Sequence, residues 1–248
     1  MLSEGQSGLI NNLYNPKFLA TVDGEGRPNV VVVSSLEYFE GRLIFGNLML
    51  WKTARNLKEN REVAALVISP QLDYFYLEGN FLGFEETGPI MDHLRKSEMV
   101  RYNAYTSFRN AGVIEITAVT PLRKFSPIRI LQEYLLSRVR FKGGPVHFPR
   151  AVAAKFDAMK SIKVAVYSDK KLQLALMPAA RCRGNRIQSF TELPPGAHYA
   201  ANVITPEVVS FQVKGMVEKE GLRVDEVYAC GPPVPGKQIY AAPAPAAL

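Results

Sequence analysis

The chain has 248 residues, 47% of them hydrophobic and 21% charged, which suits a folded protein with one large or two smaller cores. No run of 18 apolar residues occurs, so no transmembrane helix and no membrane partner are expected. The formal charge of +7 is spread along the chain rather than gathered in a basic run, so nucleic acid is not the expected partner. A modest positive field also suits a phosphorylated small ligand.

The N-terminal stretch MLSEGQSGLINNLYN lacks a basic patch followed by an apolar core. No signal peptide and a cytoplasmic protein are therefore expected. The first strand is KFLATVDG, turned by GEGRPN into VVVVSSLEYF, which reads as one buried strand. EGR then returns the chain through LIFGN, giving an antiparallel meander. LWKTARNLKENREV breaks the β pattern, and Thr53 can cap a short helix there. VAALVIS is a buried strand, and DYFYLEGNFLGFEE a longer one with Gly79 as its bulge or bend. On that strand, Phe75 and the pair Tyr74 and Tyr76 must face opposite sides. GPIMDHLRKSEMVRYNAY reads as helix, and AGVIEITAVTPLRKF closes the unit with a strand.

From residue 126 to 160 the pattern becomes helical, in PIRILQEYLLSRVR and PRAVAAKFDAMK. Strands then return in IKVAVYSD, KLQLALMPA, RIQSF, YAANVITP, VVSFQVKGMVE and DEVYACG. GPPVPGK reads as a rigid loop, because proline removes the donors a phosphate needs, and AAPAPAAL as a frayed tail.

The second set of strands copies the first. Residues 63–79 lie over residues 199–215 without a gap, at a constant offset (200−64 = 136 and 215−79 = 136). Ala64, Ala65, Val67, Ile68, Pro70, Phe75 and Gly79 meet identical residues there, ending at Gly215. The expected organisation is a first barrel over 1–125, a helical connector over 126–160, a second, degenerate copy over 161–240 and a tail over 241–248. Where the first copy has KTARNLKENRE the second has TELPPGAH, without the cations.

Lys52, Thr53, Arg55 and Asn56 form either a solvated helix face or a cup for a phosphate monoester. Trp51 reads as a packing aromatic ahead of one that stacks on a ligand. Cys182 and Cys230 read as core or edge residues, and His93, His147 and His198 lie too far apart in sequence for a metal site. Ser34 and Ser35 have no nucleophile-elbow context, and no catalytic residue stands out.

Roughly from residue 16 to 120, the order PKFLATVDGEGRPNVVVVSS, GRLIFGNLMLWKTARNLKENREVAALVI, YFYLEG resembles the FMN-binding split-barrel superfamily. That is the family of pyridoxamine 5′-phosphate oxidase-like and small FMN-binding proteins. The resemblance implies a mainly β (α+β) fold, a split β-barrel of FMN-binding type, here duplicated. It implies FMN as cofactor, with Lys52 and Thr53 on its phosphate and Asn56 close by. It further points to Val32, Val33 and Ser34 along the isoalloxazine, and to Phe45, Gly46 and Asn47 at the ring and ribityl chain. The implied activity is that of a flavin-dependent oxidoreductase with NAD(P)H or a protein as electron donor; the alternative is a non-catalytic flavin module. The relatives pair two barrels, which implies either a pseudo-dimer within this chain or a homodimer. The substrate-binding signature of pyridoxamine 5′-phosphate oxidase itself is missing.

Overall fold

A computed structural model of the chain describes residues 1–48, 50–98, 108–206, 209–230 and 236–243. The GPPVPGK loop (up to Gly236), the last residues of the tail and the second half of the helix expected after Gly88 lie outside the described residues. The chain divides into two compact units, Met1–Glu25 with Val31–Phe125, and Gly26–Val30 with Ser126–Leu248.

The first sheet carries β1 (Lys17–Val22), β2 (Pro28–Val32), β3 (Glu37–Phe39), β4 (Arg42–Gly46), β5 (Glu62–Ile68), β6 (Asp73–Glu85), β7 (Ala111–Val119) and β8 (Arg123–Lys124). The helices of the first unit are α1 (Glu4–Asn11), α2 (Trp51–Glu59) and α3 (Pro89–Lys96). The second unit carries α4 (Pro127–Arg140) and α5 (Arg150–Asp157), followed by eight strands. These are β9 (Ile162–Ser168), β10 (Leu172–Leu176), β11 (Ala180–Arg183), β12 (Arg186–Ser189), β13 (His198–Ile204), β14 (Ser210–Glu218), β15 (Gly221–Ala229) and β16 (Lys237–Ala241).

The two sheets run β2-β1-β5-β6-β7-β4-β3 and β10-β9-β13-β14-β15-β12-β11, the same order strand for strand. Only the last strands differ, β8 pairing with β6 and β16 with β15. The fold is therefore mainly antiparallel β and duplicated. Register repeats too: Val63 faces Gly79 on the β5–β6 hairpin, and Tyr199 faces Gly215 on β13–β14.

Both glycines sit where the next strand slips register, between Glu78 and Gly79 and between Lys214 and Gly215. A Cβ on Gly79 would come within 2.5 Å of the Glu115 carbonyl oxygen, and one on Gly215 would overlap that of Arg223. The bulge brings two backbones too close for any side chain, as expected for Gly79. Phe75 points into the core, and Tyr74 and Tyr76 stay half-buried on the other face with their rings 5.8 Å apart.

VVVVSSLEYF is not one strand. The chain leaves the sheet at Val33 and rejoins it at Glu37. A buried lysine holds the break. Lys17, 1% exposed on β1, donates from Nζ to the carbonyls of Ser34 at 3.0 Å and Leu36 at 2.9 Å. The second copy buries a lysine at the same register but uses it on the segment that precedes its first strand. Lys17 faces Val67, and Lys163, 2% exposed, faces Val203, the counterpart of Val67. Lys163 Nζ donates to the carbonyls of Ala158 at 2.8 Å and Ser161 at 3.0 Å. Burial lowers each ammonium to about 8, against the opposing pull of Glu37 on Lys17 and of Asp157 on Lys163.

α1 arises from a signal the sequence carries at Ser3 and Gln6. Ser3 Oγ accepts from Gln6 N, and Gln6 Oε1 from Ser3 N, a reciprocal cap.

Two outcomes follow from these contacts. Gly215→Ala lowers the urea midpoint, followed by circular dichroism, by an equivalent of about 1–3 kcal/mol, and Gly79→Ala lowers it less. Between about pH 8 and 10.5 the folded state has released the Lys17 proton while the unfolded chain still holds it, so stability rises with pH. Relative to Lys17→Met, the wild-type chain gains on the order of 3 kcal/mol across that window; paired urea titrations at its two ends measure it.

Candidate functional site

The site begins where β4 ends. Gly46 uses both its main-chain groups on one hydroxyl: its N–H donates to Ser35 Oγ, and Ser35 Oγ donates to its carbonyl, each at 3.1 Å. β3 stops pairing with β4 at Ile44, so this serine takes the place of a strand partner. It joins the Val33–Ser35 segment, pinned from below by Lys17, to the end of β4. Val33 lies in the core, with its N–H bonded to the Lys17 carbonyl at 2.8 Å. Val32 is half-buried and Ser34 exposed.

Phe45 is fully buried in the barrel core, edge-on to Phe84. Its side chain is therefore committed to packing. Gly46 lies against the ring of Phe108, into which any Cβ would run. Asn47 is fixed by three bonds. Its N–H donates to Asn110 O at 2.9 Å, its carbonyl accepts from Arg109 N at 3.1 Å, and its Nδ2 donates to Asn110 Oδ1 at 3.0 Å.

α2 starts just beyond. Its N-cap, Leu50, offers no side-chain acceptor, and the first turn holds no acid. Such a helix start presents N–H groups and a positive dipole end, with no capping side chain of its own to answer them. Thr53, Asn56 and Leu57 form the inner face, at the spacing of one helical stripe. Asn56 Nδ2 donates to Thr21 Oγ1 at 3.1 Å on β1, while Asn56 Oδ1 has no hydrogen-bond partner. Lys52 is half-buried, whereas Arg55, Lys58 and Arg61 face solvent. At the far end, Glu59 Oε2 accepts from Gly24 N at 3.0 Å and ties the helix to the β1–β2 turn.

Trp51 departs from expectation. It is 61% exposed rather than packed, and the Arg109 guanidinium lies 4.1 Å from its ring centroid. At the first position of the helix its side chain points away from the stripe that the barrel buries. The cation on its face stabilises it there.

Val33, Ser34 and Gly46 thus meet through Ser35, and Lys52, Thr53 and Asn56 share one helix. The arrangement can hold an anion at the start of α2 and present a rigid main-chain edge at Ser34 and Gly46. Sequence reasoning missed Lys17, Ser35, Phe108 and Arg109. For Lys17 a signal existed: a lysine is the first residue of the first strand in one copy and the second residue of it in the other. Ser35, Phe108 and Arg109 act across contacts that no local spacing announces.

The second unit has a cavity of about 630 Å³ between the β12–β13 loop and the β14–β15 turn. Its wall includes Glu218, which Arg186 and Arg223 already hold at 2.8 and 3.1 Å. The Arg186 hydrogen bond first, then both positive charges, keep that carboxyl below its ordinary range. Among the described residues no helix corresponds to α2 between β12 and β13.

No protein-family model and no curated protein matches this chain. Solved structures do. An FMN-binding protein from Syntrophomonas wolfei subsp. wolfei is 23% identical, with a TM-score of 0.43, over 48% of this chain and 85% of its own. A structure described as F420 reductase is 24% identical, with a TM-score of 0.39, over 48% of this chain and 98% of its own. HutZ of Vibrio cholerae, described as a haem storage protein, is 17% identical, with a TM-score of 0.37, over 50% of this chain and 97% of its own. Each covers about half of this chain with most of its own length. All three are below 25% identical to this chain, and the likeness is one of fold.

Proposed function

We propose that the chain is an FMN-binding flavoprotein, a pyridoxamine 5′-phosphate oxidase-like oxidoreductase acting on a small substrate or electron acceptor. One observation carries this reading. The same barrel occurs twice, and the first copy alone adds α2, which puts Lys52 and Thr53 at an uncapped helix start. A phosphate monoester carries nearly two negative charges and gains from a point charge, a hydroxyl and aligned N–H groups together.

The residues present fit the group. Lys52 supplies the ammonium, Thr53 a hydroxyl and a main-chain N–H. The buried amide of Asn56 has a polar atom without a partner, and a half-turn of that amide keeps the Thr21 bond while offering its NH₂ group to an anion. Ser34 and the main chain of Phe45, Gly46 and Asn47 form a stiff edge for a polar heterocycle, with Val32 beside it. Bound FMN supplies hydride and electron transfer, and the protein positions it and limits solvent access. Electrons come from NAD(P)H or from a protein donor.

A second reading is a non-catalytic flavin module, either a carrier or an electron-transfer partner. It is favoured by the residue types at the ring-side positions. Val32, Val33, Ser34, Phe45, Gly46 and Asn47 include no group that titrates near neutral pH. Bleaching of the flavin by NAD(P)H supports the enzyme; a flavin that no donor reduces supports the module.

The test is an FMN titration followed by flavin fluorescence. Lys52→Ala with Thr53→Ala weakens binding about a hundredfold, the loss of two charge-assisted contacts, while circular dichroism stays unchanged. Equal affinity in variant and wild type, or no flavin binding by either, overturns the reading.

A further inference from the structure

α4 buries very little of itself. Its inner side is formed by Ile130, Tyr134, Ser137 and Arg138, of which only Ser137 is fully buried. Arg138 fixes that side in place. It donates to the Asp157 carbonyl at 2.5 Å, pairs with the Asp157 carboxylate at 3.6 Å and lies 4.4 Å from the Tyr134 ring centroid. The opposite side carries Ile128, Leu131, Leu135, Leu136 and Val139, which are 46% to 85% exposed.

These five are not scattered. At about 100° per residue they span roughly 140° of the helix circumference, with Gln132 the one polar member of the arc. Arg138 stands at one border, and Arg129 and Arg140 at the other. Residues 127–142 hold Arg129, Arg138, Arg140 and Lys142 against Glu133 alone, a balance of 4 − 1 = +3. Single exposed apolar residues are ordinary, but a continuous stripe of five marks a surface that another body covers.

We propose that α4 lies flat on an anionic membrane surface, with Ile128, Leu131, Leu135, Leu136 and Val139 entering the headgroup boundary. Arg140 and Lys142 reach the lipid phosphates, while Arg138 stays on Asp157 and Arg129 on Glu133. Charge selects this occupant. Two copies of α4 packed face to face, in either direction, bring arginine borders against arginine borders, whereas an anionic bilayer offers an apolar interior and opposite charge at the depth required. No helix among the described residues is long and apolar enough to cross a membrane, so the contact is interfacial. The inference is independent of the flavin reading.

The full chain is sedimented with vesicles of phosphatidylcholine alone and of phosphatidylcholine with about one third phosphatidylserine. Binding to the anionic vesicles alone is expected, falling when salt is raised to about 0.5 M. Leu131→Glu with Leu135→Glu lowers that binding about tenfold or more, and Arg140→Glu with Lys142→Glu weakens it as well. Because these side chains are exposed, the thermal unfolding curves stay unchanged. The proposal is overturned if the chain ignores anionic vesicles at low salt, or if Leu131→Glu with Leu135→Glu binds as the wild type does. It is also overturned if analytical ultracentrifugation finds a dimer that this double variant dissociates while vesicles bind neither form, because a second copy then covers the face.

Discussion

Each barrel depends on one close approach of two backbones. At Gly79 and again at Gly215, a long strand slips register against its neighbour, and the neighbouring carbonyl occupies the space a Cβ would need. The slip bends the strand, and the bend allows the sheet to curl around its own apolar face. Without it, the inward residues of β5 and β6, among them Val63, Ala65, Phe75 and Leu77, would lose their common core. The same holds for Ala201, Val203, Val213 and Val217 in the second copy. The constraint is steric, so it leaves a mark in the sequence: a glycine at a fixed offset in an otherwise variable strand.

That mark, with the apolar periodicity around it, explains why the fold was legible. The gapless match of residues 63–79 to 199–215 reproduces the register of both hairpins, and the helices at 127–140 and 150–157 follow from their spacing and their proline starts. What was not legible depends on contacts distant in sequence. The apolar run 30–39 reads as one strand, but Lys17 takes the carbonyls of Ser34 and Leu36 out of the sheet. Trp51 reads as a core residue by size, yet Arg109 gives it a partner at the surface. The candidate site divides the same way. Lys52, Thr53 and Asn56 stand together in sequence, whereas Ser35, which joins the strand ends at Gly46, is visible only once the sheet is formed.

The two copies share a scaffold and differ in what is attached to it. The first carries α2 between β4 and β5; the second replaces it with a proline-containing loop whose Thr191 hydroxyl is used on the Leu176 carbonyl. Its ionic side chains are likewise occupied with one another, as at Arg186, Glu218 and Arg223. In the first copy the solvent-facing cations of α2 are ordinary surface charges, while Lys52 and the buried pair Thr53 and Asn56 remain at the helix start and on its inner face. The proposal of a single flavin nucleotide per chain rests on a duplicated scaffold that carries this helix in one half only.

Native mass spectrometry of the chain saturated with FMN tests this most directly. A mass increase of one FMN for each chain is expected, whatever the oligomer. Two FMN per chain, or none at saturating concentration, would contradict it.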